Sequence, residues 1–202
     1  MSSFGDYCLV APIAEDAVQE RETYTVEIAG LKRELPLFTV APGKRIAVFN
    51  ILGDTEIIVA AAAHLAAKLG DVSPYVIVTA EAKGIPLAFE LARVAEKPWV
   101  VLRKTYKSYM GEALSAETRS ITTGVQQTLY LDEKDKAMIA GQRVALVDDV
   151  ITTGSTITAM RALVEEAGAE IVAEAAVFTE GAAGGDGKVV ALGHLPLFTD
   201  DL

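Results

Sequence analysis

Short apolar runs alternate with polar turns and longer mixed stretches along most of this chain, a rhythm that predicts strands alternating with helices. Residues 24–28 and 33–38 read as two strands around Ala29, Gly30 and Leu31, a hairpin outside the main sheet. After the Pro42-Gly43 break an apolar strand is expected at 46–51, and Asp54 then caps an alanine-rich helix over Thr55–Leu69. A strand at 75–79, a turn at 81–85 and a helix at 86–95 follow, with Pro86 tolerated in the helix's first turn. Residues 99–103 form another buried strand, after which 104–126 stay polar for longer than an idle connection does. Residues 128–131 resume β character, 132–141 form a polar connection, and 144–147 are continuously apolar, as a central parallel strand covered on both faces should be. A helix through Met160 to Ala167, a strand at 170–178, a glycine-rich turn at 181–187 and short strands at 189–192 and 195–198 complete the pattern. Residues 14–22 have the composition of a short helix.

This alternation implies an α/β fold with a mainly parallel central sheet, flanking helices and right-handed crossovers. At 202 residues the chain suits a single domain, with a small hood drawn from about 20–40 and 189–202. Hydrophobic residues make up 51% of it, yet the longest apolar candidate, at 57–69, is short and carries His64 and Lys68, so no membrane span is expected. No basic segment followed by an apolar core opens the chain, and Cys8 stands alone, which suits a reducing cytoplasm. A net charge of −10 opposes nucleic-acid binding. His64, His194 and Cys8 form no metal-ligand pattern.

The most chemically loaded stretch is VALVDDVITTGST at 144–156. Asp148 and Asp149 follow the apolar strand at its carboxyl end, the edge where open α/β sheets bind ligands, placed to meet a sugar diol or a hydrated cation. Thr152, Thr153, Gly154, Ser155 and Thr156 then open a helix, offering N–H groups, hydroxyls and a positive dipole end to a phosphate. The run resembles the phosphoribosyl pyrophosphate (PRPP) signature of the type I phosphoribosyltransferases. Two further segments carry the same resemblance in the expected order: EAKGI at 81–85, like the pyrophosphate loop of the purine enzymes, and RKTYK at 103–107, like a basic segment of the adenine enzymes.

The resemblance, over roughly 46–178 and closest to the adenine and other purine phosphoribosyltransferases, implies an enzyme of that class with the fold read above. It implies attack of a purine nitrogen on the anomeric carbon of PRPP, releasing pyrophosphate and forming a nucleoside monophosphate in purine salvage. The resemblance puts adenine first, then xanthine or hypoxanthine, with a non-catalytic PRPP-sensing protein as the competing class. It casts Glu81, Ala82, Lys83 and Gly84 as the pyrophosphate loop, with a cis peptide, and Arg103 as a pyrophosphate ligand beside Lys104. The stretch 104–126 becomes a closing lid, with Lys107 and Tyr109 as contacts of the closed state. Magnesium is the implied cofactor, held mainly by PRPP and water, with Asp148 or Asp149 touching ribose hydroxyls or its hydration shell. Phe38 and Phe198 are the hood aromatics available to stack on a base, though apolar packing is their commoner use. A homodimer is implied as well. The match breaks at Thr122 and Thr123 before Gly124, where many adenine enzymes carry a glutamate and a tyrosine; threonine cannot replace a carboxylate as an acid or base.

Overall fold

The structure, a computed structural model, describes residues 21–119, 126–152, 154–184 and 189–199. In chain order the elements begin β1 (Thr23–Ile28), β2 (Leu31–Ala41), β3 (Lys44–Ala47), α1 (Thr55–Leu69), β4 (Val76–Ala80), α2 (Gly84–Ala95) and β5 (Trp99–Leu102). They continue with β6 (Leu114–Arg119), β7 (Gln126–Leu131), α3 (Glu133–Ile139), β8 (Arg143–Ile151), α4 (Ser155–Glu166), β9 (Glu170–Glu180), β10 (Val189–Leu195) and β11 (Leu197–Thr199).

Five strands form a parallel sheet in the order β10-β9-β8-β4-β5. Its apolar run at 144–147 is continuous because successive side chains enter different cores. Val144 and Leu146 pack with Ile139 of α3, Met160 and Val164 of α4 and Leu129 of β7. Ala145 and Val147 pack with Leu65 of α1, Leu87 and Leu91 of α2 and Ile28 of β1. All of these are buried, and each full burial of such an aliphatic side chain contributes about 1.5–3 kcal/mol.

A second sheet of four strands, β1-β2-β3-β11, lies outside the parallel one. Ile28 pairs with Leu31 across an Ala29-Gly30 turn whose φ values, 50° and 79°, are both left-handed, so glycine is favoured at its second position. Arg33 fastens this hairpin to the main body. Its Nε and Nη2 donate to the two Asp54 oxygens at 2.6 and 2.9 Å, and Nη2 also reaches Glu56 Oε2 at 2.9 Å. Asp54 meanwhile caps α1 by accepting from Ile57 N, and the Arg33 contact holds its carboxyl below the usual range.

Several expected boundaries move. The strand expected at 46–51 ends at Ala47 in the antiparallel sheet; Phe49 and Ile51 are buried without strand pairing. Residues 189–195 belong to the parallel sheet as β10, so within the 189–202 hood segment only Leu197–Thr199, among the described residues, joins the antiparallel one. The stretch 104–126 is less irregular than its polarity implies, since Leu114–Arg119 pairs with β7 as a ribbon. The connection at 132–141 contains α3, capped by Asp132, which accepts from Lys134 N. Residues 14–20 of the segment with helical composition and residues 185–187 of the glycine-rich turn lie outside the described residues; residues 21 and 22 are not helical, and Gly181–Gly184 form a single 3-10 turn.

Candidate active site

β8 runs on to Ile151, so the two acids lie inside its carboxyl-terminal half instead of following it: Asp148 pairs with Ala176, Val150 with Phe178 and Ile151 with Thr179. Asp149 is buried and Asp148 half-buried. The Asp149 N–H donates to Asp148 Oδ1 at 2.9 Å. Burial, reinforced by the neighbouring Asp149 charge, pushes the Asp148 carboxyl up to about 8. Asp149 Oδ2 has no hydrogen-bond partner among the described residues, and Lys83 Nζ stands 3.7 Å from it. Lys83 is held there because its ammonium donates to Phe49 O at 3.1 Å, drawing the irregular segment after β3 into the site.

The β4–α2 turn packs directly against these acids. The Glu81–Ala82 peptide is cis, Ala82 is exposed and its carbonyl accepts from Ile85 N at 3.3 Å. Gly84 opens α2 with no room for a side chain: a Cβ there would lie 2.2 Å from Thr79 Oγ1 and 3.0 Å from Asp148 Oδ1. Thr79 is fully buried on β4, and its hydroxyl also has no partner among the described residues. A polar residue in the otherwise apolar VIVTA strand was the sequence signal that could have marked it.

The third segment is tied to the second by Glu81. Its Oε1 accepts from Arg103 Nε at 3.2 Å and its Oε2 from Lys104 N at 2.8 Å. These contacts, the Lys104 N–H first, hold the Glu81 carboxyl below its ordinary range. Arg103 extends the edge of the sheet, exchanging both backbone hydrogen bonds with Tyr130, while Nη1 meets the Tyr109 hydroxyl at 3.5 Å. Lys104 is exposed. Lys107 is exposed too, and among the described residues no hydrogen bond or ion pair joins its ammonium to the other candidates; its backbone N–H donates to Met110 Sδ.

At α4 the cap residue Gly154 supplies no side-chain acceptor, so the helix's first N–H groups keep their donors for another partner. Thr152 and Thr156 are half-buried, and Thr156 Oγ1 donates to Gln127 Oε1 at 3.4 Å, tying this helix end to β7. Thr153, the Ser155 side chain and residues 122–124 lie outside the described set. In the second sheet the aromatics pack with their own neighbours: Tyr24 meets Phe198 edge-on at 5.1 Å, and Arg21 lies 4.2 Å over Phe38. His64 takes a helical contact with Ala60 O, and His194 pairs with Thr179 Oγ1 at 3.0 Å.

This donor set fits a magnesium ion that keeps most of its water. Two adjacent carboxylates are available, and one of them keeps a buried oxygen without a hydrogen bond among the described residues, a sparse oxygen donor set of the kind that leaves the ion its water.

Comparison with known proteins places this geometry. A hypoxanthine/guanine phosphoribosyltransferase of Methanococcus voltae is 40% identical over 112 residues, 55% of this chain and 54% of that one. A xanthine phosphoribosyltransferase of Chloroflexus aurantiacus is 37% identical over 124 residues, 61% of this chain and 58% of that one. The chain thus spans a little over half the length of these curated relatives. The crystal structure of an adenine phosphoribosyltransferase from Thermoanaerobacter pseudethanolicus matches at a TM-score of 0.62 and 25% identity, covering 86% of this chain and 95% of that one. Residues 49–189, which hold the paired acids, the cis turn and the Arg103 segment, match the model of the phosphoribosyl transferase domain, and the chain belongs to that family.

Proposed function

We propose that this protein transfers the phosphoribosyl group of PRPP to a purine base, releasing pyrophosphate and forming a nucleoside monophosphate. One observation carries the reading: the β4–α2 turn closes on the β8 acids, with Lys83 Nζ 3.7 Å from an Asp149 oxygen that has no hydrogen bond among the described residues. In this reading the turn from Thr152 through Thr153, Gly154 and Ser155 to Thr156 grips the 5′-phosphate at the α4 terminus. Asp148 and Asp149 hold the ribose hydroxyls and the hydration shell of Mg2+. When bound, Mg2+ supplies charge neutralisation to the pyrophosphate oxygens. Ala82, Lys83, Gly84, Arg103 and Lys104 face the leaving pyrophosphate, so the chain works by alignment and fixed charge rather than by a covalent nucleophile. The 104–126 arm, with Lys107 and Tyr109, excludes water from the anomeric centre.

For the acceptor we place the 6-oxopurines ahead of adenine. The curated relatives named for hypoxanthine/guanine and for xanthine are 40% and 37% identical over 112 and 124 aligned residues, while the adenine enzyme similar in fold is 25% identical over the longer stretch it covers, 86% of the chain. Thr122 and Thr123 also stand where many adenine enzymes place a carboxylate. The same proposal includes purine salvage in the cytoplasm and a homodimer; among the described residues, no helix is long and apolar enough to cross a membrane.

The test is pyrophosphate release from PRPP and Mg2+ with hypoxanthine, guanine, xanthine, adenine, uracil and orotate offered separately. Release with an oxopurine above adenine is expected. Activity with a pyrimidine alone overturns the substrate class, and PRPP binding without release for any base replaces the enzyme by a PRPP-sensing protein.

A further inference from the structure

We infer that Glu81 is a positioning residue, one that never touches the pyrophosphate but sets the Arg103 guanidinium and the Lys104 backbone in place to receive it. The inference rests on the functional reading above and deepens it at the leaving-group end of the site.

Glu81 is the one acid in a turn otherwise suited to a polyanion, and a carboxylate facing pyrophosphate directly would repel it. Its geometry removes the conflict, because both oxygens are committed inward: Oε1 to Arg103 Nε at 3.2 Å and Oε2 to Lys104 N at 2.8 Å. The two bonds connect segments 22 and 23 residues apart in the chain, the end of β4 and the end of β5. The backbone adds a third tie, since Glu81 N donates to Leu102 O at 2.9 Å. Glu81 is therefore a bracket between the cis turn and the basic segment.

Arg103 is held from three directions. Its backbone is paired with Tyr130, its Nε is taken by Glu81 and its Nη1 meets Tyr109 Oη. A guanidinium has five N–H donors in one plane, so fixing two of them orients the plane and leaves three for an incoming anion. Free arginine loses rotamer entropy when it binds, whereas a guanidinium already oriented does not, and such preorganisation strengthens binding without adding a contact. The Glu81 charge also offsets part of the Arg103 charge. The bracket thus gives up some long-range attraction in exchange for orientation, and that trade predicts what removal does.

The experiment is a double-mutant cycle on the full chain, read by calorimetric titration with inorganic pyrophosphate and Mg2+, so that no nucleobase is needed. Glu81→Ala should weaken pyrophosphate binding by about tenfold, the scale of losing an ionic hydrogen bond. In an Arg103→Ala background the same change should cost clearly less than in the wild type, because only the Lys104 backbone is left for Glu81 to position. Glu81→Gln, which keeps one acceptor, should fall between Glu81→Ala and wild type. The Arg103 Nε–H resonance, assigned in the wild type through its loss in Arg103→Ala, should move in Glu81→Gln, which reports the contact itself, while the unequal losses in the two backgrounds are what a merely structural role would not produce. Equal losses in the two backgrounds, or an unmoved resonance with unchanged affinity, overturn the positioning role alone. A wild-type protein that binds no pyrophosphate and releases none with any base overturns the functional reading and this inference with it.

Discussion

Replacing Asp148 by asparagine should change how the stability of the unliganded protein depends on pH. The structure raises this carboxyl to about 8 from an ordinary value near 3.8, through burial and the adjacent Asp149. Across that interval the folded protein holds a proton that the unfolded chain has released, so stability falls as pH rises, and the loss levels off above the folded value. One pKa unit corresponds to about 1.4 kcal/mol, and integrating from about pH 5 to about pH 9 gives a ceiling of about 4 kcal/mol, shared with Asp149 because the two carboxyls titrate together. The side-chain amide in Asp148→Asn would keep an oxygen to accept the Asp149 N–H while removing the ionisation. Urea unfolding of both proteins without PRPP or Mg2+ should therefore show wild type losing stability steeply over this range and Asp148→Asn losing less. Subtracting the curves cancels the other carboxyls raised by burial, Asp135 and Glu180. Parallel curves from about pH 5 to about pH 9 would refute the argument that burial keeps this acid protonated.

Gly84→Ala places a methyl group 2.2 Å from Thr79 Oγ1, and differential unfolding should show a loss of about 1–3 kcal/mol together with weaker PRPP binding. Adding Thr79→Ala, which removes that oxygen, should recover part of the stability; no recovery would show that the crowding lies elsewhere. Arg33→Ala should lower stability measurably by freeing the hairpin from α1. Because Asp54 is held below its usual range, this contribution is present above the ordinary carboxylate pKa and is lost as pH falls through the lowered one, so the wild-type and Arg33→Ala unfolding curves should converge in acid. Asp149→Asn should lower the rate of pyrophosphate release by about a hundredfold or more, with chelation of Mg2+ abolishing it in both proteins.

How far the chain can be read before its structure is known depends on whether a feature is local. β8 was legible because its apolar residues each enter one of two cores, and α1 because alanine favours helix and Asp54 caps it. Residues 48–51 were misread as strand because apolar character reports burial, and Phe49 and Ile51 are buried without pairing. α3 is short, four of its seven residues are charged, and the residues it buries are Asp135 and Ile139, leaving little apolar periodicity to detect. The ribbon of β6 and β7 was hidden by its polar alternation and by a partner strand seven residues further along the chain. In the site, the acids, the glycine turn and Arg103 were visible as types at suitable spacings. The commitment of Glu81 to Arg103, the Lys83 bond to Phe49 O and the role of Thr79 beside Gly84 are tertiary contacts with no local signature.

The most direct test of the central claim is phosphorus nuclear magnetic resonance of PRPP incubated with the protein, Mg2+ and hypoxanthine or guanine. The account predicts that the signal of the anomeric diphosphate disappears while free pyrophosphate and a nucleoside 5′-monophosphate grow in equal amounts, with Asp149→Asn strongly slowed. Persistence of intact PRPP with every purine, or its breakdown at the same rate with and without a base, would contradict it.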